Sequence, residues 1–211
     1  MARLTTARCR ICRRFGEKLF LKGAKCTAHC TYDKKERQKQ PGQHGGKRRG
    51  KMSNYAVRLN EKQKARAMSG ILESQFRKMF REAAKKKGLT GTNLLIIMET
   101  RLDNVLYRLG ISTSRSQARQ YIVHGHVKVN KHRVNKPSYI VKLNDEITVS
   151  DKIKSTPQVK RFVDETSKDY SVPTWLSLDA VNLVGKMVSI PTREQISYPV
   201  AEQLIIEFYS R

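Results

Sequence analysis

The sequence predicts an α+β protein, and three features carry that prediction. Four cysteines fall within the first thirty residues. From Ser53 to His124 the chain reads as helical, charged with few apolar anchors over 58–68 and with apolar stripes at helical spacing from Glu73 on, and after Gly125 the period changes to the two residues of strands. The expected architecture is a cysteine knuckle and basic loop, then a helical domain, with a module of two helices packed on a small antiparallel sheet inserted into it.

The cysteines come first in the chain. Cys9, Cys12, Cys26 and Cys30 form a C-x2-C-x13-C-x3-C pattern. Two close pairs joined by such a loop suit a tetrahedral zinc ion held by four thiolates. Disulfides are disfavoured in a reducing cytoplasm. A metal would also order a Lys- and Arg-rich segment that has little core of its own. Four thiolates leave no open coordination position, so the expected zinc is structural. His29 is the alternative to Cys30 as a ligand, and free thiols are the reading without metal.

Residues 31–51 read TYDKKERQKQPGQHGGKRRGK and have no hydrophobic period. Pro41 and the glycines mark an irregular loop. Helical spacing begins at Ser53 and is interrupted at Gly70. From Glu73 to Lys87 the stripe Phe76, Met79, Phe80 and Ala83 defines a helix, with Gly88 to Gly91 as a boundary. A helix is expected over Leu94 to Leu109, N-capped by Asn93. A second runs from Ser114 to His124 and stops at Gly125. It sets Ala118, Tyr121 and Ile122 on one face and Arg115 with Arg119 on another, so those two arginines form a paired cationic surface. VKVN, RV, SYIVKL and EITVS are short strand candidates, with turns at Asn130-Lys131 and Asn144-Asp145. Trp175, Leu176 and Leu178 are expected to pack on the helices of residues 53–90, beside the closing PVAEQLIIEFYSR.

Charge points to a partner. The chain carries 43 Lys and Arg against 18 Asp and Glu, a formal +25. Solubility needs a far smaller imbalance, whereas a polyanion rewards it. Residues 1–60 hold 17 basic and three acidic side chains, while 151–211 hold eight of each. The partner is therefore expected on the first two-thirds of the chain. No apolar run is long enough for a membrane span, and the N-terminus lacks the apolar core of a secretory signal, so a cytoplasmic protein is expected. No phosphate-binding GxxxxGK[ST], nucleophile elbow or paired carboxylates point to an enzyme. Asp103, among apolar neighbours, reads as a structural partner for a nearby arginine.

Several motifs together resemble the bacterial small-subunit ribosomal protein S-four family, in its zinc-bearing branch. These are PGQHG at 41–45, YAVRLNEKQKAR at 55–66, RLDNVLYRLG at 101–110, SRSQARQYIVHGHVKVN at 114–130 and EFYSR at 207–211. The resemblance implies a primary binder of small-subunit ribosomal RNA that nucleates assembly. It also implies a place near the path by which messenger RNA enters, contact with neighbouring small-subunit ribosomal proteins, and involvement in translational accuracy. Messenger RNA is a further candidate partner. A zinc-dependent paralogue used under particular conditions, or a non-ribosomal RNA-binding regulator, is the alternative. Some other zinc-bearing members have a longer gap between the last two cysteines than the x3 before Cys30, which bears on the fourth ligand. Leu72 stands where a helix-capping Ser is common, so that cap is expected to be missing or replaced.

The expected domains are a zinc-knuckle and basic segment at 1–45, a discontinuous helical domain of 46–91 with 171–211, and an inserted RNA-binding module at 92–170 with its core at 99–150. Folded RNA hides its base edges, so phosphates and shape are read, and arginine forks suit phosphates. The candidate RNA contacts are Arg8, Arg10, Arg13, Arg14, Lys47, Arg48, Arg49, Lys51, Arg101, Arg115, Arg119, His124 and Lys128. His124 and His126 flank Gly125, where either contacts RNA or packs locally.

Overall fold

The computed structural model describes residues 5–45, 50–157, 159 and 172–210. The chain divides into two units: Met1–Leu94 with Tyr198–Arg211, and Leu95–Ser197. The second unit is longer than the expected insertion, because the chain after residue 171 builds more of it.

The first unit begins with α1 (Arg8–Phe15) and α2 (Ala24–Ala28), followed by two short 3-10 turns. The first cysteine pair therefore lies on a regular helix, not in a knuckle turn. Then come α3 (Asn54–Ser69) and α4 (Glu73–Lys85). Ser53 starts α3 by accepting the Ala56 N–H, and Gly70 ends it in the left-handed region. Leu72 gives α4 no side-chain cap, as its residue type dictates, and Glu73 stands in the first turn where it complements the dipole. The C-terminal helix, α9 (Glu202–Tyr209), packs on α3.

Charged side chains tie this unit together. Lys62 is only 4% exposed. Its ammonium meets Glu73 at 2.8 Å and lies 4.4 Å from the centre of the Phe208 ring. Tyr209 donates to the same Glu73 at 2.8 Å. Lys64, also buried, pairs with Glu17 at 2.7 Å and so fastens the segment after α1 to α3.

The helix expected over Leu94 to Leu109 is two helices: α5 (Thr90–Glu99) and α6 (Leu102–Arg108). Arg101 breaks it, with extended backbone and a β-bridge to Ile140. Leu102 donates to the Tyr139 carbonyl and Val141 to that of Thr100. A strand-like neighbour has thus captured polar groups that helical periodicity assigned to the helix. Asn93 does not cap α5. Its Nδ2 points instead at the carbonyls of Ala83, Lys86 and Lys87 at the end of α4.

After α7 (Arg115–Val123) the sheet is five-stranded and antiparallel, in the order β2-β1-β3-β5-β4. Its strands are β1 (Val127–Val129), β2 (His132–Arg133), β3 (Glu146–Val149), β4 (Leu176–Asp179) and β5 (Val184–Met187). A short α8 (Asp151–Lys154) follows β3. Asn130 and Lys131, both at positive φ, make the two-residue turn between β1 and β2. The SYIVKL candidate is no strand beyond the Ile140 bridge.

Trp175 corrects the sequence expectation most clearly. It is 1% exposed and lies in the core formed by Leu102, Leu106, Leu109, Ile122 and Ile147, not on the helices of residues 53–90. Alternation in β4 and β5 places Leu176 and Met187 in the same core. Gly185 is required there, because a Cβ would stand 2.3 Å from Leu109 Cδ1. No helix among the described residues is long and apolar enough to cross a membrane.

Candidate nucleic-acid interface

In the second unit, two buried carboxylates organise the arginines of α6 and α7. Asp103 takes Arg101 through two bonds, Nε at 3.0 Å and Nη2 at 2.7 Å, with Arg119 Nη1 at 3.7 Å. Glu99 takes Arg108 through Nε at 3.2 Å and Nη2 at 2.5 Å. Asn104 Nδ2 donates both to the Glu99 carboxylate and, at 3.1 Å, to its carbonyl. Asn104 Oδ1 then accepts from Arg115 Nε at 2.7 Å, and the Arg115 guanidinium lies 4.5 Å from the Tyr107 ring centre. Ser114 caps α7 by accepting the Gln117 N–H, which fixes the turn that delivers Arg115.

This arrangement corrects one expected contact. Arg101 is 3% exposed and its fork is filled by Asp103, so it serves the fold and offers no surface to a phosphate. Burying an arginine is tolerable only with such a partner. Arg115 and Arg119 do lie four apart on α7, but each belongs to a different anchor, Asn104 for one and Asp103 for the other. Both are partly exposed.

The β1–β2 hairpin adds an exposed cationic edge. Lys128 stands opposite Arg133 in the register, and both are exposed. Arg133 lies across Gly125 and donates to the His124 carbonyl at 3.2 Å. Gly125 has φ +74°, a backbone conformation that favours glycine, and its missing Cβ leaves room for that guanidinium. His124 is exposed, whereas His126 is partly buried with Nδ1 3.2 Å from Ser150 Oγ. Arg133 is a surface cation that sequence reading missed. The Asn130-Lys131 turn could have revealed it, since that turn sets Arg133 beside Lys128.

In the first unit, Arg10 and Arg14 are exposed four residues apart on α1. Arg13 is engaged within the fold: its Nε donates to the Lys39 carbonyl at 2.8 Å, holding the chain before Pro41 against α1. Lys51 is exposed. Lys47, Arg48 and Arg49 lie outside the described residues. Cys9, Cys12, Cys26 and Cys30 line one small cavity with Arg8, Leu21, Lys22 and Tyr32, and all four are free thiols. Burial pushes the Cys12 thiol up, against the opposing Leu19 N–H, and the other three cysteines add to the rise. Burial likewise raises Cys26, against the Lys22 N–H that reaches its sulfur at 3.3 Å. His29 is exposed and does not line the cavity. As placed, the side chains form no cluster of three or more His, Cys, Asp or Glu suited to a metal among the described residues.

The family described as Ribosomal protein S4/S9 N-terminal domain matches residues 3–99, and the S4 domain matches residues 100–147. Small ribosomal subunit protein uS4 from Natranaerobius thermophilus is 52% identical over 212 residues, covering the whole of both chains. The uS4 of Ruminiclostridium cellulolyticum and the uS4A of Alkaliphilus metalliredigens match to the same extent, also end to end. The chain belongs to the uS4 family of small ribosomal subunit proteins. The boundary between the two uS4 matches, at residues 99 and 100, falls where Arg101 separates α5 from α6. The S4 match thus contains α6, α7, the hairpin and the start of β3, while β4 and β5 lie beyond it.

Proposed function

We propose that this chain is a structural constituent of the small ribosomal subunit, not an enzyme, and that it binds ribosomal RNA through basic surfaces on both units. The observation that carries the reading is the end-to-end match, at about half identity, to proteins named for that subunit. The charge of +25 and the exposed cations Arg10, Arg14, Lys51, Lys128 and Arg133 supply the physical means. In α6 and α7 the contribution is preorganisation. Arg115 is held by Asn104 and Tyr107, so little side-chain freedom is lost when it meets RNA. Its finer role is that of an early binder nucleating assembly, near the path of the messenger, beside other small-subunit proteins in the cytoplasmic ribosome. Competition binding tests the reading. Small-subunit ribosomal RNA is expected to displace duplex DNA at matched nucleotide concentration, and equal affinity for both would overturn shape-selective RNA binding.

We further propose that Cys9, Cys12, Cys26 and Cys30 hold a structural Zn2+. The support is chemical: four soft thiol donors line one cavity, and the Lys22 N–H already donates to the Cys26 sulfur at 3.3 Å. A bound cation would neutralise thiolates that otherwise repel one another. Elemental analysis of untagged protein is expected to find one zinc per chain, and none would overturn the assignment.

A further inference from the structure

Helix α4 carries a face that nothing above uses. Its inner side is Phe76, Met79 and Ala83. Its outer side presents Arg77, Arg81 and Lys85, four residues apart and all exposed, and Lys86 and Lys87 continue the charge beyond the helix end. The neighbouring helix differs. On α3, Arg58 pairs with Glu207 at 2.6 Å, Lys62 with Glu73 at 2.8 Å, Lys64 with Glu17 at 2.7 Å and Arg66 with Glu73 at 3.5 Å. On α4 only Lys78 meets an acid, Glu82 at 4.0 Å. The side chains of Arg77, Arg81, Lys85, Lys86 and Lys87 make no hydrogen bond or ion pair among the described residues.

Two structural explanations for these cations fail. The lysines do not cap α4, because the Asn93 amide takes the carbonyls of Ala83, Lys86 and Lys87 at 3.4, 3.4 and 3.2 Å. They do not support the fold either, because the inner stripe already seats the helix. Along α4 itself the face presents no large exposed hydrophobic side chain of the kind protein interfaces centre on; Leu89, 77% exposed, comes after Gly88. Successive cations rise about 6 Å along the helix. The row is thus no longer than about one to two Debye lengths and acts as one field.

We propose that Arg77, Arg81 and Lys85, extended by Lys86 and Lys87, form a phosphate-binding rail for ribosomal RNA, separate from the contacts of α6, α7 and the hairpin. The proposal rests on the reading of this chain as an RNA binder. It is tested in the full-length protein by the triple variant Arg77→Gln, Arg81→Gln, Lys85→Gln, with a small-subunit ribosomal RNA transcript as the probe. All three positions are exposed, so the melting curve is expected to overlay that of the parent. Affinity near physiological salt is expected to fall about tenfold or more, and the log–log salt slope to become shallower by about 2 to 3. The charge-keeping variant Arg77→Lys, Arg81→Lys, Lys85→Arg is expected to retain most of the slope. A control triple, Lys142→Gln, Lys152→Gln, Lys186→Gln, removes the same net charge elsewhere and is expected to change the slope less. An unchanged slope in the α4 triple overturns the rail, as does an equal loss in the control. Intact RNA binding with failed incorporation into small subunits also overturns it, assigning the face to a protein. A parent protein that does not bind the transcript would instead sink the RNA reading itself.

Discussion

Asn104 holds Arg115. Its Oδ1 accepts from Arg115 Nε at 2.7 Å while its Nδ2 is committed to Glu99. The buried Glu99 thereby reaches a partly exposed arginine on the next helix through one amide. Asn104→Ala leaves a buried carboxylate short of a donor and removes the acceptor that fixes Arg115 Nε. Urea unfolding is expected to show a loss of about 1–3 kcal/mol. The folded variant is expected to bind ribosomal RNA more weakly; unchanged affinity would show that Arg115 needs no positioning.

Asp103 contacts two arginines, and its removal takes from the buried Arg101 the carboxylate that fills its fork. Asp103→Ala is expected to cost about 3–5 kcal/mol in chemical unfolding. Arg101→Gln separates stability from binding: stability falls, but the salt slope for RNA stays that of the parent. A slope shallower by about one would restore Arg101 as a phosphate contact.

Glu73 sets an acid limb of stability in the first unit. Burial pushes its carboxyl up, but the bonds from Lys62 and Tyr209 and the charges of Lys62 and Arg66 outweigh that and hold it below the ordinary range. A carboxyl depressed in the folded state stabilises above its unfolded pKa, near 4.3. That contribution is lost as pH falls through the lower folded value. Stability measured from about pH 6 down to pH 3 is expected to fall less steeply in Glu73→Gln than in the parent. Parallel curves would remove Glu73 from the account.

Trp175 is the sole tryptophan and is 1% exposed among the sheet residues. Its fluorescence is expected to report the second unit alone, shifting red when that unit unfolds. Trp175→Leu is expected to destabilise that unit through the cavity it leaves. An emission maximum already typical of exposed indole in the native protein would contradict the fold of residues 172–187.

Much of this was legible in the sequence, and the failures have physical causes. Ser53, Gly70, Ser114 and Gly125 mark helix ends by local chemistry alone, and local chemistry is what a sequence displays. The Arg101 break was hidden because its cause, the segment around Tyr139 to Val141, lies some forty residues away. Arg101 looked like a surface cation because charge says nothing about burial until Asp103 is seen to fill its fork. Local pattern does not reveal that Leu176 and Leu178 belong to a sheet strand, since β4 reaches the sheet only through β5, whose partner β3 lies about thirty residues earlier. The cysteine spacing correctly drew attention to one region, where all four thiols line a common cavity. The helical setting of Cys9 and Cys12 was not readable from spacing. The cations of α4 were visible as residues, but their lack of partners emerged only once those of α3 were seen to be paired.

The most direct measurement is the stoichiometry of this chain on purified small ribosomal subunits after a high-salt wash. One copy per subunit is the expected result. A chain that stays in the soluble fraction, or is stripped from otherwise intact subunits at moderate salt, would contradict its role as a constituent of that particle.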